Sequence, residues 1–326
     1  MNVPRARLVR SQMSLSEGDE EAPGEAVTGR QDGEDRGVAV GTLSGLGVID
    51  DSAFKWIKGA LIKTGTLGAV YLGMDATENG NLIAVREIPL SDTTDFTSRK
   101  GLIDSLQREI EVLKAFQLER IIQYIATATS DTHFRIFMPY IPGGSIADLL
   151  ANYGAFEESL ARSFGRKVLE GVCFIHDHGM IHRDLKGGSI LVDNHGGIKI
   201  SDFNVLKMVV QESLPTEPNA TSSLTSVFWS PPEVVIEKSY TTASDVWSFG
   251  CFFMEMLTGS HPWPDLTPLQ ATFQIGSKKA PAFPQGLSSG AVDFIRETLQ
   301  VGPKDRPSAQ DLRRHSFICV DYKGGV

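Results

Sequence analysis

The sequence feature that most constrains the fold is a hairpin pattern near the middle of the chain. Two short apolar runs, Ile190–Val192 and Ile198–Ile200, are separated by the turn-forming residues 193–197, which end in two glycines. Apolar, β-branched residues on both sides of such a turn predict an antiparallel pair of strands. The hairpin places Asp202 close behind its second strand, and four titratable residues stand shortly before its first strand: His182, Arg183, Asp184 and Lys186.

The rest of the chain divides into a β-rich part and a helical part. Alternating or β-branched residues predict strands, and apolar residues at steps of three or four predict helices. The predicted strands cover residues 60–73 with a turn inside, 82–88, 121–125 and 134–138. A helix is predicted over residues 102–117, and a mainly helical region follows Ser145, a favourable N-cap. These patterns indicate a mixed domain with strands first and helices second.

Composition excludes several classes of function. The 326 residues are 41% hydrophobic, which is enough for one large domain or two lobes. The net charge of -9 argues against nucleic-acid binding and against binding to an anionic membrane. There is no apolar run of about 18 residues and no apolar signal core at the start. We therefore expect a cytoplasmic protein without a nucleic-acid or membrane partner.

The first 52 residues differ in composition from the rest. No aromatic residue occurs before Phe54, and Gly, Ser, Glu and Asp are frequent. Such a segment has too little apolar surface to offset the entropy lost on ordering. We expect residues 1–52 to form a disordered, acidic tail.

A series of short motifs resembles the motifs of protein kinases. Residues 182–189 are similar to the catalytic-loop motif H-R-D-L-K-x-x-N, and residues 202–204 are similar to D-F-G. Residues 63–70 resemble G-x-G-x-x-G-x-V, which covers the phosphates of ATP, and residues 83–86 resemble V-A-I-K. The motifs occur in the kinase order between about Trp56 and Phe317, so the sequence resembles a eukaryotic protein kinase.

This resemblance implies a bilobal α+β fold with a β-rich N-lobe containing one main helix and a larger helical C-lobe. The implied boundaries are residues 53–138 for the N-lobe, 139–142 for the hinge, 143–320 for the C-lobe and 321–326 for a tail. Finer features, such as residues 56–62 and 226–229, resemble MAP kinase kinase kinases, particularly fungal ones. The family implies ATP and Mg²⁺ as cofactors and a MAP kinase kinase as the protein substrate or partner.

The resemblance also implies roles for individual residues. Asp184 would accept the proton of an attacking hydroxyl, and Lys186 would contact the transferred phosphate. Asp202 and Ser189 would hold Mg²⁺, and Arg86 would pair with Glu109. The residues implied to bind ATP are Ile62, Gly65, Gly68, Val70, Ala84, Arg86, Glu109, Met138, Pro139, Ile141 and Leu191.

Further contacts are implied that would support this site. Glu233 would pair with Arg306, and Asp245 would bond the backbone of the catalytic loop. Ser226 stands where kinases specific for Ser or Thr place a hydroxyl that contacts the catalytic Asp and Lys. In the family pattern, Pro139 offers a carbonyl group to adenine and Ile141 offers an N–H.

Four positions depart from the family pattern. Arg86 replaces the lysine of V-A-I-K, Ser189 replaces the asparagine of the catalytic loop, and Asn204 replaces the glycine of D-F-G. Lys63 stands at the first glycine of the phosphate-covering motif. A guanidinium is bulkier than an ammonium and directs its donors differently. Serine is shorter than asparagine and lacks its amide carbonyl.

These departures leave three hypotheses. The first is a domain of MAP kinase kinase kinase type with weak or lost transfer activity, which acts as a scaffold or allosteric partner. The second is a working Ser/Thr kinase with an atypical ATP site, in which Lys63 could take over part of the lysine's role. The third is a small-molecule phosphotransferase with the same fold, against which Glu233 and Arg306 argue.

Overall fold

A six-stranded antiparallel sheet is formed by the first part of the chain, and helices dominate the second. The computed structural model describes residues 48–51, 54–65, 68–77, 80–90, 96–114, 118–203 and 225–319. The order of the strands in the sheet is β1-β2-β3-β4-β6-β5. The strands are β1 Val48–Asp51, β2 Phe54–Gly65, β3 Gly68–Asp75, β4 Leu82–Pro89, β5 Ala126–Thr129 and β6 His133–Pro139.

The register of the central strands aligns residues that were predicted to bind ATP. Val70 on β3 is opposite Arg86 on β4, and Ala84 on β4 is opposite Met138 on β6. At the start of β3, Gly68 has a φ of 97°. A Cβ atom at Gly68 would overlap the carbonyl oxygen of Glu87, so this turn requires glycine for its own packing.

Helix α1, Phe96–Lys114, begins six residues before the predicted range of 102–117 and covers residues 102–114 of it, while residues 115–117 lie outside the described residues. Leu106, Ile110 and Leu113 are fully buried, at the spacing of one helical face. They belong to the same hydrophobic core as the helices that follow. The side chain of Glu109 lies outside the described residues.

The second part of the chain packs around one central helix. The helices are α2 Ile146–Tyr153, α3 Glu158–Asp177, α4 Pro232–Glu237, α5 Thr242–Thr258, α6 Pro268–Gly276, α7 Ser289–Thr298, α8 Ala309–Arg313 and α9 Ser316–Cys319. Helix α5 is buried on all sides from Ser244 to Met256, as expected for a helix at the centre of a domain. Its Phe249 and Phe253 pack against Phe294 of α7, with ring centroids 6.0 and 5.3 Å apart.

Two local predictions are confirmed. Strands β7 Ile190–Val192 and β8 Ile198–Ile200 form the expected hairpin, and Asp193 in its turn accepts hydrogen bonds from the backbone of His195 and Gly197. Ser145 is the N-cap of α2 and forms a capping box with Asp148.

Two predictions were wrong in detail. Residues 121–125 do not form a strand of the large sheet, because Ile121 is bridged to Ile200 of β8 and the sheet resumes at Ala126. Val48–Asp51 were assigned to the tail but form β1, paired with β2. The rest of residues 1–52 lies outside the described residues. In the described part of the chain, no helix has both the length and the apolar character to cross a membrane.

A buried ion pair joins Arg306, in the segment before α8, to Glu233 of α4. Arg306 donates to both carboxylate oxygens of Glu233, at 2.7 and 2.9 Å, and also to the carbonyl oxygens of Ala243 and Gln300. The Arg306 side chain is fully buried, and the Glu233 side chain is 8% exposed. This is the pair that the kinase resemblance implied.

We predict that Arg306→Ala lowers the free energy of unfolding by about 3 to 5 kcal/mol, because it leaves a buried carboxylate without its partner. Chemical denaturation measures this change. The matched control is Arg296→Ala, which removes an exposed pair with Asp293 and is expected to change the free energy of unfolding by no more than about 0.5 kcal/mol. Equal effects of the two substitutions would contradict the stabilising role of the Glu233–Arg306 pair.

Candidate active site

Asp245, in the first turn of α5, holds the loop that contains Asp184. Its carboxylate accepts hydrogen bonds from the backbone N–H groups of His182 and Arg183, both at 2.8 Å, and lies 2.9 Å from Nε2 of His176. Arg183 has a φ of 70°, an unfavourable conformation for a residue with a side chain. The fully buried Asp245 stabilises this conformation by binding the two N–H groups beside it.

His182 connects this loop to the end of β8. Its ring lies 2.9 Å from the carbonyl oxygen of Ser201 through Nε2, and Nδ1 accepts from the N–H of Asp184 at 3.3 Å. These contacts suit a neutral imidazole with its proton on Nε2. Burial lowers the pKa of His182, which favours the same neutral form. The ring also packs against Phe203, with centroids 4.8 Å apart.

Asp184 and Lys186 form the predicted catalytic pair. Nζ of Lys186 donates to Oδ2 of Asp184 at 2.7 Å and to Oγ of Ser226 at 2.6 Å. Ser226 is buried in the short helical turn Thr225–Trp229. The turn that precedes α4 is thereby fixed to the catalytic loop, as the resemblance to Ser/Thr-specific kinases implied.

Glu255, near the end of α5, binds both the catalytic loop and the turn Thr225–Trp229. Oε2 of Glu255 accepts from the N–H of Gly187 and from Nε1 of Trp229, both at 2.8 Å. Burial raises the pKa of Glu255 to about 7, against the lowering effect of these two hydrogen bonds. A side chain at position 187 would collide with Glu255, so glycine is needed there.

Ser189 uses its hydroxyl group inside the catalytic loop. Oγ accepts from the N–H of Lys186 at 3.0 Å and lies 2.9 Å from the carbonyl oxygens of Asp184 and Lys186. The residue is fully buried. An asparagine has separate donor and acceptor atoms for two tasks, whereas serine has one oxygen. Here that oxygen stabilises the loop.

Asp202 is held by two cations. Nη2 of Arg86 binds Oδ1 of Asp202, and Nζ of Lys63 binds Oδ2 at 2.7 Å. Although burial raises the pKa of Asp202, the charges of Arg86 and Lys63 outweigh that effect and hold the pKa well below its usual value. The expected partner of Arg86, Glu109, cannot be compared, because its side chain lies outside the described residues.

A cavity with mainly apolar walls opens beside these charges. The predicted ATP-binding residues that line it are Ile62, Val70, Ala84, Arg86, Met138, Pro139, Ile141 and Leu191. Lys63 and Asp202 line the same cavity, as do Tyr140 and Asp148. Gly65 and Gly68 are not part of its lining. An apolar slot that contains a cluster of cationic groups suits a flat base attached to an anionic group.

The residues that were predicted to hold Mg²⁺ do not fit that ion as they are placed. Mg²⁺ requires a near-octahedral set of oxygen ligands. Both oxygens of Asp202 face cationic nitrogens, and the hydroxyl of Ser189 is bonded within its loop. The roles of Asp202 and Ser189 as metal ligands therefore remain predictions from the family pattern. Asn204 lies outside the described residues.

A comparison with protein families decides what kind of site this is. The model of the family described as protein kinase domain matches residues 56–318. This chain belongs to the protein kinase family. The fold predicted from the motifs is thereby confirmed, and so is the similarity to MAP kinase kinase kinases described next.

Several curated proteins are similar to this kinase domain. It is 42% identical to the mitogen-activated protein kinase kinase kinase MST11 of Pyricularia oryzae, over 88% of this chain and 32% of that protein. It is 35% identical to the serine/threonine-protein kinase STE11 of Saccharomyces cerevisiae, over 81% of this chain and 42% of that protein. It is 38% identical to mitogen-activated protein kinase kinase kinase 2 of Arabidopsis thaliana, over 82% of this chain and 41% of that protein. The chain thus spans less than half the length of each of these relatives.

A solved kinase structure supports the same fold. The kinase domain resembles the crystal structure of Rad53 1–466 in complex with AMP-PNP, with a TM-score of 0.65 and 27% sequence identity. The match covers 84% of this chain and 65% of that chain.

Two important residues of the kinase domain were missed or undervalued in the sequence. Glu255 is the one charged residue between Val246 and Leu257 of a strongly apolar helix, and such a charge usually has a buried partner. Lys63 was recognised as a cation near the phosphates, but its pairing with Asp202 was not predicted.

We predict that Glu255 makes stability depend on pH. Because its pKa is raised from 4.5 to about 7 in the folded state, folded Glu255 retains a proton that the unfolded chain has released. Its contribution to the free energy of unfolding should therefore fall by roughly 2 to 4 kcal/mol as the pH rises from about 4.5 to about 7.

The measurement is chemical denaturation of the wild type and Glu255→Gln at several pH values in that window. Glutamine keeps an acceptor oxygen but does not titrate. The pKa of His182 is lowered in the folded state, so its contribution to the free energy of unfolding rises with pH. Because this contribution is present in both proteins, subtraction of the two stabilities removes it. A difference that does not change with pH would contradict the prediction.

Proposed function

We propose that this chain is a nucleotide-binding kinase domain of MAP kinase kinase kinase type whose phosphoryl transfer to protein Ser or Thr is weak or lost. It would act in the cytoplasm as a scaffold or allosteric partner of a MAP kinase kinase. The observation that carries the proposal is the pairing of Asp202 with both Lys63 and Arg86.

The nucleotide part of the proposal rests on the cavity. Ala84, Met138 and Leu191 form apolar walls beside residues 139–141, whose backbone groups are expected to bond adenine. Lys63 and Arg86 line the same cavity, where both pair with Asp202. ATP is therefore the cofactor that the lining suits.

The loss of transfer rests on positioning. In protein kinases the lysine of V-A-I-K and the aspartate of D-F-G each contact the phosphate–metal unit. Here the corresponding residues, Arg86 and Asp202, contact each other. The guanidinium that would bind phosphate and the carboxylate that would bind the metal are therefore already paired. Phosphoryl transfer depends on positioning to within about an ångström, and such an error can cost roughly 100-fold in rate.

A fully active Ser/Thr kinase with an atypical ATP site is the second candidate. It is favoured by the intact contacts of Lys186 with Asp184 and Ser226. In that case Asp184 would accept the proton of the substrate hydroxyl, and Lys186 would neutralise the phosphate that is transferred. Both candidate functions include a MAP kinase kinase as the partner. This partner is inferred from the similarity to MAP kinase kinase kinases.

We predict that the purified protein, supplied with Mg²⁺-ATP and an inactive MAP kinase kinase, transfers no more phosphate than its Asp184→Asn variant. The combined variant Lys63→Gly, Arg86→Lys, Ser189→Asn should exceed the wild type by about tenfold or more, because it frees Asp202 and restores the family's groups. Incorporation of labelled phosphate into the substrate measures both effects.

Transfer by the wild type well above the Asp184→Asn control would favour the second candidate. If the combined variant binds nucleotide but gains no activity, the pairing at Asp202 is not the cause of the defect. The control for folding of the combined variant is its nucleotide binding, which is measured as a shift of its melting temperature.

A further inference from the structure

The geometry points to a nucleotide site that works without a divalent metal: we infer that Lys63 and Arg86, gathered by Asp202, supply the positive charge that Mg²⁺ provides in other kinases. The ligand would be a metal-free adenine nucleotide with a di- or triphosphate. This inference rests on the nucleotide-binding part of the proposed function.

The two cations reach one point from different strands. Lys63 lies near the end of β2 and Arg86 lies on the central strand β4, while Asp202 follows β8. Nζ of Lys63 also lies 3.4 Å from the carbonyl oxygen of Gly188 in the catalytic loop. The side chain of Arg86 is 10% exposed and that of Asp202 is 19% exposed, so the cluster is not an ordinary surface pair.

The arrangement excludes the metal by charge and by contact. A bound Mg²⁺ would need an oxygen of Asp202 that Lys63 or Arg86 now contacts, and it would place a double charge beside both cations. Ser189 provides no second ligand, because its hydroxyl is buried and bonded within the loop. The metal must therefore displace existing contacts before it gains any.

The same arrangement favours anionic oxygens. Lys63 and Arg86 carry two positive charges against the single negative charge of Asp202, which leaves an excess positive charge in this cluster. Asp148, the other charged residue that lines the cavity, has its carboxylate bonded to Ser145 in the capping box of α2. Nε of the buried Arg86 has no hydrogen-bond partner among the described residues. Phosphate oxygens provide acceptors of the kind that guanidinium and ammonium groups bind most strongly. Without its metal, ATP carries more negative charge toward these groups.

The test is calorimetric titration of the purified chain with ATP and with ADP, in EDTA and in excess Mg²⁺ at matched ionic strength. We expect affinity in EDTA equal to or greater than affinity in Mg²⁺. Binding that is about tenfold or more tighter with Mg²⁺ would overturn the inference but leave the proposed nucleotide binding intact. Absence of binding under both conditions would overturn the inference and the proposed function together.

Asp202→Asn distinguishes the two kinds of site by the sign of its effect. In a metal-dependent site this substitution removes a metal ligand and weakens nucleotide binding. Here it removes the one negative charge of the cluster, so affinity for metal-free ATP should rise by about threefold or more. Unchanged or weaker binding by a folded Asp202→Asn variant would overturn the inference.

Lys63→Met provides the complementary test, with Lys58→Met as its matched control. Both lysines lie on β2, both are partly exposed and both pair with a carboxylate, but Lys58 pairs with Glu87, which is not among the residues lining the cavity. We expect Lys63→Met to weaken metal-free ATP binding by about tenfold and Lys58→Met to change it by less than about twofold. Equal effects would show that Lys63 has no specific role.

Discussion

The pairing of Asp202 with two cations is the interaction on which the character of the site depends. Both cations approach from the sheet, Lys63 from β2 and Arg86 from β4, and Asp202 is presented by the segment that follows the β7–β8 hairpin. The pair therefore joins the strand-rich part of the chain to the helical part at the end of the cavity. Because of this position, the pairing determines whether a bound phosphate or metal ion finds an unpaired side chain to contact.

Around this pairing, the scaffold of a protein kinase is intact. Asp245 fixes the left-handed turn at Arg183, and Glu255 ties Gly187 to Trp229. Both carboxylates come from α5, the most buried helix of the described chain. The conformation of the catalytic loop is therefore fixed by hydrogen bonds to its backbone that do not involve nucleotide or metal. The loop can keep this conformation even where phosphoryl transfer is weak or lost.

The sequence predicted the local features well, because they depend on neighbouring residues. The hairpin at 190–200 and the capping box of Ser145 follow from turn chemistry and spacing. Family motifs located the Glu233–Arg306 pair. The pairing of Lys63 with Asp202 was not predictable in this way, because it joins residues 139 positions apart. Residues 121–125 were misassigned for a similar reason: a β-branched run has no local signal that distinguishes a sheet strand from a segment bridged to β8.

Cations of the protein, Lys63 and Arg86, are proposed to occupy the place of the metal. A crystal structure with ATP and excess Mn²⁺, whose anomalous scattering locates the ion, tests this most directly. We predict that Lys63 and Arg86 remain within hydrogen-bond distance of Asp202 or of the phosphates and that no manganese signal lies at Asp202. A manganese ion coordinated by Asp202, with Lys63 displaced from it, would show that the metal keeps its place and that the cations do not replace it.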